Sequence, residues 1–266
     1  MQAALPSPFQ ALWRPGKPAL GTFVFMRDPS STEIALQAGH DFTILDFEHT
    51  ALDLHDAAAH QRAADAQRAP MLVRLPGCDH ALLGRLLDIG VAGAMLPHFG
   101  VSADEAERFV ATLRYPPRGT RPACSGVRAA GYALGSFADY AATADRSLAA
   151  VGLVEDIEVV DRLDELLKAA PLDALMPGPG DLSTSMGLPG QPTHPKVREV
   201  VGRIAEAARR AGVPIGFYLN SPEECETWGR YSPSFYVHLF DSKVLAHAQR
   251  AAVRSMRQAL DRQETT

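Results

Sequence analysis

The chain has 266 residues, of which 46% are hydrophobic, and its formal net charge is −5. This length and composition predict a globular protein with a large core, and the negative charge argues against nucleic acid as the main partner. No stretch reaches the ~18 apolar residues of a membrane span, and no signal peptide is visible, so neither a membrane nor secretion is expected.

Apolar runs of strand length alternate with segments of helical composition along the chain. The predicted strands cover residues 19–26, 41–46, 70–75, 91–97, 149–154, 172–176, 214–219 and 235–239. The predicted helices cover residues 30–38, 53–66, 79–88, 102–113, 157–169, 195–211, 221–228 and 241–260, with a short helix and turn at 9–17 and a helical segment directly after Asp181. The stretch 115–140 is rich in Gly, Pro and Arg and is expected to be irregular.

Eight strand–helix units favour a closed (β/α)8 barrel, the TIM-barrel fold, over an open sheet. An open doubly wound sheet would usually carry a glycine-rich dinucleotide turn after its first strand, and residues 16–21 do not supply one. No linker divides the chain. Residues 1–266 are therefore predicted to form a single barrel domain, with a polar C-terminal tail from about residue 261.

The three cysteines, Cys78, Cys124 and Cys225, are widely spaced and odd in number. They form no metal motif and no disulfide framework, which favours the reducing cytoplasm as the location. No serine elbow, phosphate loop or zinc motif stands out. Lysines are few and none lies at a predicted strand end, which argues against a Schiff-base mechanism.

Polar residues follow four of the predicted strands: Glu48 with His49, Arg74, Glu155 and Asp181. In a parallel barrel the carboxyl ends of all strands meet at one mouth, where this fold keeps its chemistry. Each residue alone has an ordinary alternative, since a strand-end arginine often pairs with an acid and a strand-end acid often caps a helix. Their recurrence at equivalent strand ends predicts one active site.

These residue types suit chemistry on an anionic substrate. Glu155 and Asp181 could hold one hard divalent cation, because Mg²⁺ favours few protein carboxylates plus waters and substrate oxygens. Arg74 could grip a carboxylate and offset the charge of an enolate. His49 could exchange protons near neutral pH, and Asp88, at a predicted helix end, could hold it in one tautomer.

Two further features point to the same mouth. The glycines of the turn at 177–180 let the backbone approach a ligand closely, and the helix start that follows offers free N–H groups to an anion. His98 and His238 also follow predicted strands and could face the mouth. The turn and helix start favour a site for a small anionic molecule.

Motifs along the chain resemble the HpcH/HpaI aldolase family, the metal-dependent class II pyruvate aldolases of the 4-hydroxy-2-oxo-acid aldolase type. The resemblance covers about residues 9–260. The matching pieces are Leu45-Asp-Phe-Glu-His49, Val73-Arg74, Leu87-Asp88-Ile-Gly90, Arg114-Tyr-Pro-Pro117 with Gly119 and Arg121, Val154-Glu155, and Gly178-Pro-Gly-Asp181-Leu-Ser183. Each piece is unspecific alone, whereas their order and spacing together are specific.

The resemblance implies a (β/α)8 barrel, often with the last helix exchanged between neighbours in a homo-hexamer built as a trimer of dimers. It also implies that Glu155 and Asp181 are the ligands of a divalent metal ion, Mg²⁺, Mn²⁺ or Co²⁺. The partners implied are small molecules, a 2-oxo acid and an aldehyde.

The same resemblance implies roles for the remaining residues. Arg74 would steady the pyruvate carbonyl oxygen as it becomes an enolate, and His49, held by Asp88, would be the acid/base. Backbone N–H groups at Gly180 and Asp181 would hold the pyruvate carboxylate. The reaction would be reversible aldol cleavage of a 4-hydroxy-2-oxo acid, giving pyruvate or a close relative and an aldehyde.

Three positions depart from the family pattern. Family members commonly have Gln two residues before the metal glutamate, and this chain has Leu153 at that substrate-binding position. The usual Arg-Gly after the Tyr-Pro-Pro motif is Arg121-Pro122. The last strand usually ends in small residues and here reads Tyr-Val-His-Leu-Phe over 236–240. The changes at Leu153 and in the last strand bear on the aldehyde half of the reaction.

Two alternative functions remain open at this point. The apolar Leu153, followed by Glu155-Asp156 and Glu158, is also similar to the siderophore citrate synthase branch of the family, which condenses oxaloacetate with acetyl-CoA. The other alternative is a barrel that binds a keto acid without turnover and serves as a regulatory or assembly subunit.

Overall fold

A computed structural model describes residues 9–13 and 16–264 of the chain. The strands are β1 (Ala19–Val24), β2 (Phe42–Asp46), β3 (Met71–Arg74), β4 (Gly93–Leu96), β5 (Ala149–Val154), β6 (Ala174–Pro177), β7 (Gly216–Leu219) and β8 (Phe235–Phe240). The helices are α1 (Ser30–Gln37), α2 (Leu54–Ala66), α3 (His80–Ile89), α4 (Ala103–Thr112), α5 (Phe137–Ser147), α6 (Ile157–Val160), α7 (Leu163–Ala169), α8 (Pro179–Ser185), α9 (Pro195–Ala211), α10 (Glu224–Gly229) and α11 (Asp241–Glu264). A short 3₁₀ helix, Phe9–Leu12, precedes β1.

The eight strands pair in parallel in the order β6-β5-β4-β3-β2-β1-β8-β7. The gap between β6 and β7 is bridged by Leu175, whose N–H donates to the Pro214 carbonyl oxygen at 2.9 Å. The sheet is therefore a nearly closed barrel, and the predicted (β/α)8 fold is confirmed. Because every strand runs the same way, the residues that follow the strands face one another across one mouth.

Side-chain alternation along the strands divides the apolar core into two layers, one under the helices and one inside the barrel. The 3₁₀ helix carries Phe9 to the amino end of the barrel, where its ring lies 4.8 Å from the ring of Phe42 and 5.3 Å from that of Phe235. Gly21 makes room for these rings, since a Cβ there would lie 2.3 Å from the Phe42 ring. The aromatic cluster fills the amino end and leaves the carboxyl end for the site.

Local sequence explains where individual helices begin and end. Asp53 accepts hydrogen bonds from the N–H groups of His55 and Asp56, and Asp56 accepts one from the Asp53 N–H, so α2 starts with a complete capping box. Helix α3 ends at Gly90, whose φ of 109° is in the left-handed region that glycine adopts at little cost. These caps define where α2 begins and where α3 ends.

Two helical segments differ from their predictions. Residues 137–140 were expected to be irregular, yet they form the first turn of α5, and Ser136 caps this helix by accepting a hydrogen bond from the Asp139 N–H. The single helix expected at 157–169 divides at Arg162, whose guanidinium donates to the carbonyl oxygens of Gly100 and Val101. Hydrophobic periodicity carries no signal for such side-chain contacts to backbone.

Helix ends differ as well. Proline favours the first helical position, so α8 begins at Pro179 and Asp181 lies inside its first turn rather than before the helix. The last helix continues to Glu264, so the polar tail expected from 261 is helical to that residue. The helix and turn expected at 9–17 are reduced to the 3₁₀ turn, and residues 14–15 lie outside the described part of the chain.

Helix α11 contacts β1 and β8 near its start and is exposed along most of its length. Five of its apolar side chains are exposed: Val244, Leu245, Val253, Met256 and Leu260. Exchange of this helix between subunits and a single domain over residues 1–266 both stay predictions. Within residues 9–13 and 16–264, no helix combines the length and the apolar character that crossing a membrane requires.

Candidate active site

A cavity of about 410 Å³ opens at the carboxyl ends of the strands. This volume is in the range of small-molecule sites. Six of the seven residues predicted for the site line it: His49, Arg74, Leu153, Glu155, Gly180 and Asp181. The structure therefore brings together side chains from four strand ends that are far apart in the sequence.

Arg74 is the best-fixed charged group of the cavity. It is the last residue of β3 and is only 7% exposed. Its Nε donates to Asp46 Oδ1 at 2.6 Å, its Nη1 lies 3.2 Å from Glu48 Oε2, and its Cζ lies 4.7 Å from the centre of the Phe23 ring. Burial opposes the charge, but the hydrogen bond and the nearby carboxylates raise the Arg74 pKa, so the guanidinium stays positive.

Asp46, which holds Arg74, is a residue that sequence reasoning missed. It is fully buried at the end of β2, directly beside Arg74 in the parallel register. Its carboxylate also accepts hydrogen bonds from the N–H groups of Glu48 and His49, at 3.2 and 3.1 Å. Asp46 thus fixes both the arginine and the loop that carries the histidine. In the sequence, the only signal for Asp46 was an acid at the end of a mostly apolar predicted strand.

Glu48 lies among the basic side chains of the mouth. Its side chain is 12% exposed, and burial raises its pKa against the opposing effects of Arg74 and His49. His49 Nε2 lies 3.6 Å from Glu48 Oε2, and the imidazole is 56% exposed. His98 Nε2 lies 4.0 Å from Glu48 Oε1. The carboxylate therefore lies within reach of two imidazoles at the edge of the cavity.

The second predicted histidine position, His98, also reaches the mouth. Its backbone is in the left-handed region with φ of 49°, and its Nδ1 lies 2.9 Å from Asp156 Oδ2. Its N–H donates to Glu155 Oε2 at 3.2 Å. A non-glycine residue in this conformation is uncommon. The backbone of His98 positions Glu155, and its imidazole lies beside Glu48 at the edge of the mouth.

Glu155 and Asp181 form the carboxylate pair expected from the sequence. Glu155 follows β5 and is 4% exposed, whereas Asp181 is exposed in the first turn of α8. Burial, with a further contribution from the charge of Asp181, raises the pKa of Glu155 to about 8. Gly178 leaves room for this carboxylate, since a Cβ at that position would lie 2.6 Å from Glu155 Oε1.

The pair has the character of a site for a hard cation. Asp181 repels the buried charge of Glu155, and a bound cation would remove both this repulsion and the cost of burying Glu155. Among residues 9–13 and 16–264, no group of three or more His, Cys, Asp and Glu side chains is arranged to hold a metal ion. The protein therefore offers two carboxylates, which suits an ion that completes its shell with water and substrate oxygens.

Asp88 is the one predicted site residue that the structure does not bring to His49 within the chain. It lies in the last turn of α3, and its Oδ1 is 3.4 Å from Nη2 of the buried Arg121. Each helix of the barrel runs antiparallel to its strand, so the end of α3 lies at the opposite end of the barrel from the mouth. The predicted contact between Asp88 and His49 is therefore not made within one chain, and the role of Asp88 stays a prediction.

The lining of the cavity divides into two arcs. The charged wall consists of His49, Arg74, Glu155 and Asp181, which follow or end β2, β3, β5 and β6. The aromatic wall consists of Phe23, Phe25, Tyr218 and Phe240, from β1, β7 and β8. Because β1, β8 and β7 are consecutive in the sheet, the aromatic wall is continuous around the mouth.

The fold and this mouth define a barrel enzyme that carries a carboxylate pair beside a fixed arginine. The chain belongs to the HpcH/HpaI aldolase/citrate lyase family, whose sequence profile matches residues 19–248. It is 31% identical over 233 residues to the 2-keto-3-deoxy-L-rhamnonate aldolase of Escherichia coli O17:K52:H18 (strain UMN026), with 86% of each chain covered. The expected class of enzyme, a carbon–carbon lyase, is confirmed by this relationship.

Solved structures agree with the family assignment. The HpcH/HpaI aldolase from Desulfitobacterium hafniense DCB-2 superposes with a TM-score of 0.86 at 28% identity, covering 91% of this chain and 93% of that one. The citrate synthase SbnG superposes with a TM-score of 0.83 at 25% identity, covering 92% of this chain and 96% of that one. The solved structures that resemble this chain therefore include both kinds of enzyme that the sequence left open.

Proposed function

We propose that this enzyme catalyses the reversible, metal-dependent aldol cleavage of a 4-hydroxy-2-oxo acid into pyruvate, or a similar 2-oxo acid, and an aldehyde. The observation that carries the proposal is the carboxylate pair Glu155 and Asp181 in one cavity with the fixed guanidinium of Arg74. The similarity to the rhamnonate-type aldolase supports the same reaction class.

Glu155 and Asp181 are the ligands that we propose for a divalent ion, Mg²⁺, Mn²⁺ or Co²⁺. The raised pKa of Glu155 supports this role, because a buried carboxylate beside a second acid is stabilised in its charged form by a cation. When bound, the ion would act as a Lewis acid that polarises the 2-oxo group of the substrate. Of the three ions, Mg²⁺ and Mn²⁺ prefer oxygen ligands of this kind.

The substrate would be bound by groups on both sides of the carboxylate pair. Arg74 would face the 2-oxo oxygen and stabilise its negative charge when the enolate forms, while Asp46 and Glu48 hold the guanidinium in place. The N–H groups of Gly180 and Asp181 would bind the carboxylate, because donors in the first turn of a helix have no partner within it. Leu153 would contact the substrate from the floor of the cavity.

His49 is the acid/base that we propose for proton transfer. In the cleavage direction it would take the proton from the 4-hydroxyl group as the bond between C3 and C4 breaks. The electron pair of that bond passes to the 2-oxo acid fragment as an enolate, and the aldehyde leaves. A proton added at C3 then gives the keto product. The exposed imidazole can exchange protons with solvent, and Glu48 at 3.6 Å can orient it.

Citrate synthase activity is the second candidate, and the structural similarity to SbnG favours it specifically. That reaction would join acetyl-CoA to oxaloacetate and release CoA. The same charged wall would stabilise an enolate in both reactions, so Arg74, Glu155 and Asp181 do not separate them. A barrel that only binds a keto acid, as a regulatory or assembly subunit, would use the same residues without turnover.

The assembly proposed for the enzyme is a homo-hexamer, a trimer of dimers, in which α11 packs against a neighbouring subunit. Its exposed apolar residues, among them Val253, Met256 and Leu260, support this arrangement because burying them against a second copy would be favourable. A cytoplasmic location is proposed from the three cysteines, which are all free.

Proton exchange at the pyruvate methyl group in D₂O, followed by NMR, tests the proposal directly. We expect exchange in the presence of Mg²⁺ or Mn²⁺ and its loss when EDTA is added, because exchange needs only the enolate and no aldehyde. Absence of exchange with each of the three metals would contradict the aldolase proposal. Release of CoA from acetyl-CoA and oxaloacetate would then establish the synthase, and ligand-induced stabilisation alone would indicate a binding subunit.

A further inference from the structure

We propose that the aromatic wall is the subsite for the aldehyde, and that it selects aldehydes with an apolar side chain over polyhydroxylated ones. This inference rests on the proposed aldolase function and names the substrate class for its second half. It starts from the division of the mouth into two arcs. Because the charged wall is occupied by the 2-oxo acid, the aldehyde carbon reaches the enolate from the remaining side of the cavity.

The aromatic wall is a connected set of rings. Phe23 lies under the guanidinium of Arg74, and the Phe23 ring centre is 6.3 Å from the ring centres of both Phe25 and Tyr218. Phe25 and Phe240 are stacked, with centres 4.6 Å apart and an angle of 11° between their planes. The rings therefore extend from the reacting centre to the rim of the cavity.

A bulge in the sheet aims Phe240 into the cavity. Along β8, Phe235 and Val237 point into the barrel, so simple alternation would place residue 239 there and turn Phe240 outward. Leu239 instead adopts a left-handed conformation with φ of 56°, and the β1–β8 register shifts between Gly21 and Phe23. Bulges re-aim side chains in this way and occur often at barrel rims and beside active sites.

The stacked pair is also fixed through the backbone. The carboxylate of Asp241 accepts hydrogen bonds from the N–H groups of Phe25 and Met26, at 2.9 and 3.1 Å. Asp241 directly follows Phe240, so this contact joins the end of β1 to the end of β8 beneath the two rings. Phe25 and Phe240 are both partly exposed at the cavity although they are packed on the barrel interior. A fixed apolar surface in a polar mouth indicates an apolar ligand group.

Polar groups on this side are few. Tyr218 contributes one hydroxyl, and burial raises its pKa to about 12, so it is a neutral phenol at working pH. The amide of Asn220, at the rim, accepts a hydrogen bond from Lys243 Nζ at 3.0 Å. The hydroxyl groups of a polyhydroxylated aldehyde would lose their hydrogen bonds to water at this wall and find no protein partners, which lowers its affinity. The side chain of an aryl or alkyl aldehyde has no hydrogen bonds to lose there, and it would gain contacts with the rings.

Two measurements test the proposal, one of turnover and one of binding. Condensation with pyruvate and Mg²⁺ should show a kcat/KM for benzaldehyde and hexanal on the order of 10- to 100-fold above that for glyceraldehyde. Saturation-transfer NMR should show binding of benzyl alcohol and 1-hexanol, which cannot react, but not of glycerol. An aryl preference over alkyl would identify the stacked pair as the main contact.

The variant Phe240→Ala should lower the preference for apolar aldehydes about tenfold, with the rate of pyruvate methyl exchange in the same sample as the internal reference. Phe240→Leu removes the ring but keeps an apolar side chain, and it replaces the alanine variant in this test if the alanine variant fails to fold. The control is Leu134→Ala, at a residue that is 91% exposed and does not line the cavity. It should change neither the preference for apolar aldehydes nor the rate of pyruvate methyl exchange.

The outcomes separate this inference from the aldolase proposal. Pyruvate exchange without preference for apolar aldehydes, or equal binding of benzyl alcohol and glycerol, would overturn the assignment of the aromatic wall and leave the aldolase intact. Binding of benzyl alcohol that is lost in Phe240→Ala, in an enzyme without pyruvate exchange, would support the apolar subsite and contradict the aldolase.

Discussion

The two walls of the cavity are built in opposite ways. The charged wall is held by ion pairs and hydrogen bonds between strand ends, such as Arg74 with Asp46 and Glu155 with the His98 N–H. The aromatic wall is held by ring packing and by one backbone clamp at Asp241. The charged wall holds its ionised groups in fixed positions, whereas single substitutions of rings could change the shape of the aromatic wall without disturbing those groups. Under the proposed function, chemistry and specificity would be carried by separate arcs of the barrel.

The largest effect is expected from Arg74→Lys, which keeps a positive charge but loses the planar set of donors. Pyruvate exchange should fall on the order of 10²- to 10³-fold, because one fixed donor to a developing oxyanion is worth that much. Lysine is a better probe than alanine, since alanine would leave the fully buried Asp46 without its charged partner and cost about 3–5 kcal/mol of stability. The measurement is the rate of pyruvate methyl exchange per folded molecule, followed by NMR in the variant and in the wild type.

Arg114→Lys is the matched control for this substitution. Arg114 is also 7% exposed and pairs with an acid, its Nη2 lying 2.7 Å from Asp173 Oδ2, but it does not line the cavity. Near-normal exchange in Arg74→Lys, or an equal loss in both variants, would remove Arg74 from the mechanism.

The next largest effect concerns Glu155→Gln, which removes the buried charge. Metal-dependent exchange should be lost, yet the metal-free variant should be more stable than wild type above pH 8. The folded state holds the Glu155 proton with a pKa of about 8, against 4.5 when unfolded, so wild-type stability falls as pH rises through this window. The gain should reach a few kcal/mol, about 1.4 kcal/mol per pKa unit at most. Urea unfolding with EDTA at pH 6 and pH 9 measures it.

The exposed Glu165 provides the control, because Glu165→Gln makes the same chemical change on α7 outside the cavity. It should show no difference in stability between the two pH values beyond that of wild type. A Glu155→Gln variant that is less stable than wild type at pH 9 would contradict the assignment of the buried carboxylate.

A third effect follows for metal binding by the wild-type enzyme. A metal ligand must be deprotonated, so the apparent affinity should rise about tenfold per pH unit up to about pH 8 and then level off. Binding near pH 7 should release about one proton, which calorimetry in two buffers of different ionisation enthalpy can count. An affinity that does not change between pH 6.5 and 8 would place the metal elsewhere than at Glu155.

The difference between the walls also explains what the sequence could show. The strand ends of a parallel barrel converge, so Arg74, Glu155 and Asp181 could be predicted to lie together from apolar runs that are followed by charged residues. Phe240 was visible only as a bulky residue in the last strand, because the bulge at Leu239 that turns it inward depends on the register with β1. The contact of Asp88 with Arg121 was not visible for the same reason, since it depends on how α3 and the segment after α4 pack together.

The smallest effect is expected at Leu153, which lies on β5 and lines the floor of the cavity. Leu153 precedes Glu155 by two residues on β5, faces the interior and is 2% exposed. Leu153→Gln would introduce the polar side chain common in the family, and we expect it to lower the preference for apolar aldehydes only a few-fold, because one lining position changes while the rings remain. Leu153→Met, which conserves volume and polarity, should leave the preference unchanged. Competition between hexanal and glyceraldehyde measures the ratio, and equal effects of the two substitutions would mean that packing rather than polarity at this position controls the aldehyde.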